Sequence, residues 1–318
     1  MARKLRIQYA GAVYHVMSRG NRREPIFKDD SDRIRFLATL GEACAKTGWL
    51  VHAYCLMKNH FHLALETPEP NLVMGMKWLL GTYTSRFNRK YELSGHLFSG
   101  RYKALTIDAS GDGYLRTACD YVHLNPQRAK LLRTDEPLRA YRWTSYLEYL
   151  KPPEKRPAWI CVQRLLGELS IPKDSLAGRR QFERRMEARR CEEDPEAWKE
   201  MRRGWCLGDD VFRKELLAQM RERVGDNHFG PERRESAEVR AERMVREGLR
   251  LAGLKEQDLL VMPKAAAKKL ELAVQLRRAT TMSLKWIASR LRMGAWTYLN
   301  SVLYQHRRSI GQNTKLQK

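Results

Sequence analysis

The most chemically suggestive stretch of this sequence is 57–63, where two histidines are separated by one apolar residue. Side chains alternate between the two faces of a β-strand, so His60 and His62 share one face of a continuous strand. The residues that share the other face are Met57, Phe61 and Leu63. Two neighbouring imidazoles can hold one metal ion. They can equally be ordinary polar-face residues of a half-buried strand, so the pair alone leaves both alternatives open.

A second candidate group lies in a segment that follows Tyr114, where apolar residues recur at helical spacing. Tyr121 and Asn125 are four residues apart, so a continuous helix places them on one face, one turn apart. A phenol can act as a nucleophile, and an amide oxygen with imidazole nitrogens suits Mg²⁺ or Mn²⁺, with zinc less expected. Both residues also have structural interpretations: Tyr121 as an amphipathic core residue, and Asn125 as the N-cap of a new helix begun by Pro126.

Strands and helices alternate in the first 150 residues, and these elements must position the candidate groups. In chain order we predict a strand over 12–19, a helix from the caps Asp29–Asp32 to Gly48, an extended segment over 49–65, a helix over about 71–91, one or two strands over 96–107 with Arg101 and Lys103 on a common face, and a helix from about Tyr114 to Pro126. This order favours an α+β domain, with an antiparallel sheet flanked by helices.

The second half of the chain changes character and divides the sequence into three predicted segments. Its helical stretches are long and charged, with few β-formers, and we interpret them as solvated faces that connect two domains. The predicted segments are an α+β domain over 1–155 that holds the candidate groups, a charged helical connector over 156–236 and a helical domain over 237–318.

A helix-turn-helix is predicted near the C-terminal end of the sequence. Residues 281–291 form a capped helical pattern, 292–294 a tight turn around a glycine, and 295–304 a second helix. A generic helical hairpin gives the same apolar pattern. The basic side chains around the turn favour DNA binding, and the candidate contacts are Lys285, Arg290 and Arg292.

Charge is the most informative bulk property. The 318 residues include 60 Lys and Arg against 37 Asp and Glu, a formal charge of +23, and both halves are basic. Such a surplus favours a polyanionic partner, although ribosomal association or an anionic membrane surface fits it as well. The six cysteines never form a Cys-x-x-Cys pair, which argues against a zinc ribbon and suits free thiols.

No targeting or membrane segment is evident in the sequence. No apolar run approaches the roughly 20 residues needed to span a bilayer, and the first six residues lack the apolar stretch of a secretory signal. We therefore expect a cytoplasmic, nucleoid-associated protein without a membrane partner.

Five blocks of this sequence, in order, resemble a known family. They are Tyr14–Asn21, Met57–His62, Phe98–Tyr102, Tyr121–Ala129 and Trp143–Tyr146. Together they look like the REP-associated tyrosine transposases, a branch of the single-tyrosine HUH transposase superfamily. The resemblance covers roughly residues 8 to 150, and its specificity lies in the ordered blocks rather than in the histidine pair.

This resemblance implies a fold and a set of residue roles. The fold is ferredoxin-like, with the histidine pair on a central strand and the tyrosine on a facing helix. His60, His62 and Asn125 would be metal ligands, and Tyr121 the nucleophile. The family blocks also contribute DNA-proximal residues, namely Arg19, Asn21, Arg22 and Arg101, beside Lys103 from the strand pattern. The commoner form of the histidine block has proline where Lys58 stands here.

The implied activity is metal-dependent cleavage and rejoining of single-stranded DNA at hairpin sequences through a 5′-phosphotyrosine. The partners would be single-stranded or hairpin DNA, with duplex DNA bound by the C-terminal helices of a monomer or a dimer. Two rival functions remain: a DNA-binding regulator that keeps the fold without turnover, and an RNA-binding protein that uses the same positive charge.

Overall fold

The chain divides into two compact units, residues 1–228 (unit 1) and 229–318 (unit 2). The computed structural model describes residues 7–110, 113–191, 198, 201, 204–222 and 231–316. This division differs from the three predicted segments, which had boundaries after residues 155 and 236. No helix in the described part of the chain is both long enough and apolar enough to cross a bilayer.

Unit 1 is built on a five-stranded sheet. Its strands are β1 (Ala12–Arg19), β2 (Leu50–Met57), β3 (His60–Thr67), β4 (Lys103–Ile107) and β5 (Cys206–Leu207). They lie in the order β2-β3-β1-β4-β5, and the first four are antiparallel to their neighbours. The predicted α+β class is confirmed. The sheet also gains a fifth strand, parallel to β4, that the sequence did not indicate.

Helices cover both faces of this sheet. One face packs against α1 (Asp30–Thr47), which connects β1 to β2, and α2 (Leu72–Lys90), which connects β3 to β4. This order of strands and helices is the ferredoxin-like arrangement. The opposite face packs against α3 (Tyr114–His123). Both sides of β1 and β3 are therefore buried, and residues on the α3 side lie in a protected layer.

The first helix begins and ends at the signals that the sequence carries. Asp29 accepts a hydrogen bond from the backbone N–H of Asp32, and the Asp32 carboxylate accepts from the backbone N–H of Asp29. This reciprocal capping box satisfies two N–H groups that otherwise lack partners at a helix start. Gly48 ends α1 with φ 74°, a left-handed conformation that glycine adopts without a steric penalty.

The extended segment predicted over 49–65 is a hairpin of two strands, not one strand. Lys58 and Asn59 form the turn, and Met57 pairs directly with His60 across it. Met57 therefore lies in the core beneath α3, on the same face as the histidines, and the prediction that it faces the other way is wrong. The turn is only two residues long and contains neither glycine nor proline, which concealed it. Phe61 and Leu63 do lie on the opposite face, as predicted.

The predicted connector packs closely on unit 1 instead of being solvated. The remaining helices of the unit are α4 (Asn125–Arg128), α5 (Tyr146–Leu150), α6 (Gln163–Glu168), α7 (Leu176–Cys191) and α8 (Asp210–Glu222). Leu165 of α6 and Phe182 of α7 are fully buried in the core beneath α3, and the Phe182 ring stacks on Tyr149 at 4.6 Å. A narrow apolar stripe is enough to bury one face of an otherwise charged helix. Parts of the predicted connector, 192–197, 199–200, 202–203 and 223–230, lie outside the described residues.

Unit 2 is helical throughout its described residues. Its helices are α9 (Pro231–Leu251), α10 (Asp258–Val261), α11 (Ala267–Ala279), α12 (Leu284–Arg290) and α13 (Trp296–Leu316). The Ser283 side chain caps α12 by accepting from the Trp286 N–H, and Gly294, at φ 85°, makes the turn into α13. Ile287 of α12 and Leu299 of α13 are fully buried in one core. Both helices predicted around this turn are thus present.

Candidate active site

The sheet register places the two predicted histidines on the face beneath α3. His60 lies opposite Arg19 of β1, and His62 lies opposite Met17, which in turn pairs with Lys103 of β4. The His60 and His62 rings are 5.1 Å apart, centroid to centroid, and nearly perpendicular. The shared face predicted for this pair is therefore present, flanked by two exposed cationic side chains, Arg19 and Lys103.

A third histidine, which the sequence analysis did not single out as a candidate, completes this cluster. His15 lies on β1 opposite Ala64, two residues along β3 from His62, and on the same face. Its Nε2 atom is 2.9 Å from Nδ1 of His62, and the two rings stack with centroids 5.1 Å apart and an interplanar angle of 4°. The signal that could have found it is the strand pattern over 12–19, which places a histidine in a buried row.

The hydrogen bonds at the histidine pair leave one nitrogen of each ring available. Nδ1 of His62 is bonded to His15, and Nδ1 of His60 lies 2.7 Å from Oδ1 of Asn59. Because the Asn59 oxygen can only accept, the His60 proton resides on Nδ1. Among the described residues, none forms a hydrogen bond with Nε2 of His60 or His62. This is the arrangement expected of metal-binding histidines, whose second nitrogen donates to a fixed acceptor.

All three imidazoles are neutral at physiological pH. Burial lowers the pKa of His15 to about 3, with the positive charge of Arg128 adding to the effect. Burial and the nearby Arg19 lower the pKa of His60 to about 4. Burial, followed by the charges of its neighbouring histidines, holds the pKa of His62 well below its usual range. Neutral rings keep the lone pairs that ligation requires.

Tyr121 faces the histidines from the last turn of α3. Its ring centroid is 5.3 Å from that of His15 and 5.7 Å from that of His62, both in edge-on contacts. The Trp198 ring packs at 5.5 Å, and the tyrosine is only 8 % exposed. The structure thus brings the predicted nucleophile against His62, one of the two predicted ligands, and against His15. It also shows that the core interpretation of Tyr121 and the active-site interpretation are compatible.

Asn125 does not continue the helix that carries Tyr121. The helix α3 ends at His123, Leu124 separates it from α4, and α4 begins at Asn125. The predicted continuous helix to Pro126 is therefore wrong, because Pro126 has no N–H to donate to the carbonyl four residues before it. The N-cap of α4 is Leu124, not Asn125, and no described residue forms a hydrogen bond with the Asn125 side-chain amide. It lies buried on α4, which contacts β2.

Carboxylates, thiols and histidines alone do not build a metal centre in the described part of the chain. No group of three or more His, Cys, Asp or Glu side chains there could hold a metal ion. A site at the His60 and His62 pair therefore needs its further donors from another source, such as an amide oxygen or water. The unbonded amide of Asn125 is a donor of that kind, four residues from Tyr121.

The DNA-proximal residues predicted for unit 1 gather near the same end of the sheet. Gly20 bridges to Phe98, and the Asn21 N–H donates to the Leu97 carbonyl at 2.8 Å, so the loops after β1 and before β4 run together. The predicted residues on this rim are all exposed: Arg19, Asn21, Arg22, Arg101 and Lys103. Arg22 has φ 51° in a short 3₁₀ turn, an uncommon backbone conformation for a residue with a side chain.

The three basic residues predicted in unit 2 fall into two groups. Lys285 on α12 and Arg292 in the turn are exposed. Arg290 instead forms ion pairs with Glu242 at 2.7 Å and Glu256 at 2.5 Å, and these carboxylates raise its pKa further. The charge of Arg290 is compensated within unit 2, so it is better placed to join α12 to its neighbours than to contact DNA.

Comparison with known proteins finds a family model similar to part of unit 1. A family model described as "Transposase IS200 like" matches residues 8–125. This match agrees with the resemblance drawn from the sequence blocks, the first three of which lie within the matched region. Among curated proteins, none matches this sequence significantly.

One solved structure, of a REP-associated tyrosine transposase bound to a REP hairpin, is similar to part of this chain. The similarity covers 46 % of this chain and 84 % of that one, with 14 % sequence identity and a TM-score of 0.39.

Proposed function

We propose that this chain is a DNA transposase that cuts and rejoins single-stranded DNA through a covalent 5′-phosphotyrosine, and the similarity of residues 8–125 to the IS200-like transposase family supports this. The observation that carries the proposal is the contact of the Tyr121 ring with His15 and His62 on the buried face of the sheet. A core tyrosine needs no such cluster of neutral histidines beside it.

Tyr121 is the proposed nucleophile. Its phenol loses a proton, its Oη atom forms a bond to phosphorus, and the bond from phosphorus to the 3′-oxygen breaks. The departing oxygen takes up a proton and leaves as a free 3′-OH, while the 5′ end stays attached to the tyrosine. One ester replaces another, so a second 3′-OH can reverse the step without a nucleotide cofactor. That reversal supplies the rejoining half of transposition.

His60, His62 and Asn125 would hold a divalent cation, Mg²⁺ or Mn²⁺. The fit rests on Nε2 of the two histidines, which is free of described hydrogen-bond partners, and on the unbonded amide of Asn125. When bound, the cation would neutralise charge on the non-bridging phosphate oxygens. His15 and Asn59 hold the rings from behind, so the chain itself fixes where those lone pairs point.

Single-stranded or hairpin DNA is the proposed substrate of unit 1. The exposed cations Arg19 and Lys103 flank the histidine pair across the sheet, and Arg22 and Arg101 lie in the loops at the same end. A backbone laid along this rim would bring one phosphate to the buried cluster, with the neighbouring phosphates against the arginines. Binding of this kind weakens with salt as counterions compete.

Unit 2 is proposed to bind duplex DNA through the helix pair α12 and α13. The first turns of α13 expose Trp296, Thr297 and Asn300, which can contact base edges, and Lys285 lies on the preceding helix. Helices joined by such a turn place the second helix in the major groove in known regulators. This activity is separable from the chemistry of unit 1.

The test is a covalent adduct with DNA. An end-labelled hairpin with single-stranded flanks is incubated with the full chain and Mn²⁺, and then denatured and separated by electrophoresis. We expect a labelled adduct that Tyr121→Phe abolishes and that Tyr114→Phe, on the same helix, leaves intact. Hairpin binding should survive both substitutions. Binding without any adduct from the unaltered protein would favour a regulator without turnover, and an undiminished adduct from Tyr121→Phe would remove the tyrosine assignment.

A further inference from the structure

Tyr121 sits near the end of its helix, where a side chain needs support from elsewhere. The helix α3 ends two residues after it, and Pro126 cannot extend the backbone ladder. A nucleophile must nevertheless be held within a fraction of an ångström of its productive position. The described residues that contact the ring must therefore supply the restraint.

We infer that Arg128 is a positioning residue for Tyr121, which fixes the phenol against the histidine pair and keeps a positive charge beside it as its oxygen becomes anionic. The inference rests on the proposed function, since it concerns the same reaction. It assigns a role to a residue of α4 that lies one turn beyond the proposed ligand Asn125.

Two separate contacts join Arg128 to the tyrosine. The guanidinium carbon lies 3.9 Å from the centroid of the Tyr121 ring, and one Nη atom donates to the Tyr121 backbone carbonyl. The same group lies 5.0 Å from the Trp198 ring, which itself packs on the tyrosine. Arginine thus bridges the break between α3 and α4 and restrains both the backbone and the ring of one residue. A lysine could supply the charge but not the planar stacked contact.

The positive charge of Arg128 borders the histidine cluster. Its guanidinium lies over the Tyr121 ring, and that ring in turn contacts His15 and His62. In the proposed step, negative charge develops on the tyrosine oxygen before attack and again when a 3′-OH displaces it. A cation fixed beside the ring stabilises that charge in both directions without having to reorganise.

Arg128 is reachable from solvent as well as from the tyrosine. It is half-buried and lines an open cavity of about 750 Å³ together with Lys130, Arg133 and Gln127. A small cation added to the solution could therefore enter the space that a truncated side chain would leave. This makes the inference testable by chemical rescue.

The experiment compares Arg128→Ala, Arg128→Lys and the control Arg116→Ala, an exposed arginine on α3. Single-turnover rates of adduct formation are measured with the hairpin and Mn²⁺, with and without 20 mM ethylguanidinium, and thermal melts are recorded in parallel. We expect Arg128→Ala to slow adduct formation about 10²-fold, as loss of one preorganised donor does. Ethylguanidinium should raise the rate of adduct formation by Arg128→Ala about ten-fold. Arg128→Lys should form the adduct at an intermediate rate, and Arg116→Ala should form it as fast as the unaltered protein.

Several results would overturn the inference while leaving the proposed function intact. An unaltered rate in both Arg128 variants would show that the tyrosine needs no such restraint. A slow rate that ethylguanidinium does not raise, together with a lower melting temperature, would assign Arg128 to folding alone. If the unaltered protein forms no adduct that depends on Tyr121, the proposed function itself fails, and the two failures are thereby distinguished.

Discussion

Replacing His15 tests whether the cluster beneath α3 is arranged for a metal. In the proposed arrangement, Nε2 of His15 accepts the Nδ1 proton of His62 over 2.9 Å, which leaves Nε2 of His62 unprotonated for ligation. His15→Ala removes the acceptor and leaves a buried donor unsatisfied, at a cost of about 1–3 kcal/mol. Loss of such a partner typically lowers metal affinity about 10–100-fold, or about 1.4–2.8 kcal/mol. We therefore expect His15→Ala to lower the affinity of the protein for Mn²⁺ about 10–100-fold.

The assay is calorimetric titration of the full chain with Mn²⁺ at pH 7.5, where His15 and His60 are neutral. His15→Gln, whose side-chain oxygen can accept in place of Nε2, should recover part of the affinity. His96→Ala, at an exposed position, serves as the control. If His15→Ala folds normally and binds Mn²⁺ as tightly as the unaltered protein, then His15 does not orient His62 and the reasoning is refuted.

Three further predictions concern stability and duplex binding. Burial raises the pKa of Asp120 to about 7, so the native state holds a proton on this carboxyl that the unfolded state loses near pH 4. The contribution of Asp120 to the stability of unit 1 should therefore fall as pH rises from about 4 to 7, by at most about 4 kcal/mol. The difference in stability between the unaltered protein and Asp120→Asn should show this dependence in thermal melts, because the buried histidines contribute in the opposite direction in both proteins. The buried Lys269 ammonium donates to three backbone carbonyls of unit 2, so Lys269→Met should destabilise that unit by about 2 kcal/mol in urea titrations; an unchanged midpoint would contradict this. Replacing Lys285 and Arg292 by Gln should reduce the salt slope of duplex binding by about 2, whereas Lys255→Gln should leave it unchanged; equal slopes in all three proteins would argue against α12 and the turn as the contact.

Local patterns predicted the parts of this protein whose structure depends on neighbours in sequence. The capping aspartate and Gly48 delimit α1, and the alternation around His60 and His62 sets their shared face. The turn between α12 and α13 was likewise evident, because a glycine between two apolar helical periods is typical of a helix end in the left-handed conformation. Each of these features is decided within about one helical turn.

Features that depend on strand register or on packing between distant segments could not be predicted from local sequence patterns. His15 meets His62 only because β1 pairs with β3, across 47 residues of sequence. The burial of Phe182 depends on a core that its own charged helix does not reveal. Pro126 is a local signal against a continuous helix through Asn125. The helix does break just before that residue, although the four-residue spacing of Tyr121 and Asn125 favoured a continuous one.

The central claim is that Tyr121 forms a covalent bond to the 5′ end of cleaved DNA. It is tested most directly by digesting the denatured adduct with protease and nuclease and sequencing the modified peptide by mass spectrometry. The account predicts one nucleotide attached through its 5′-phosphate to Tyr121. A nucleotide on another residue, or one attached through its 3′-phosphate, would contradict it.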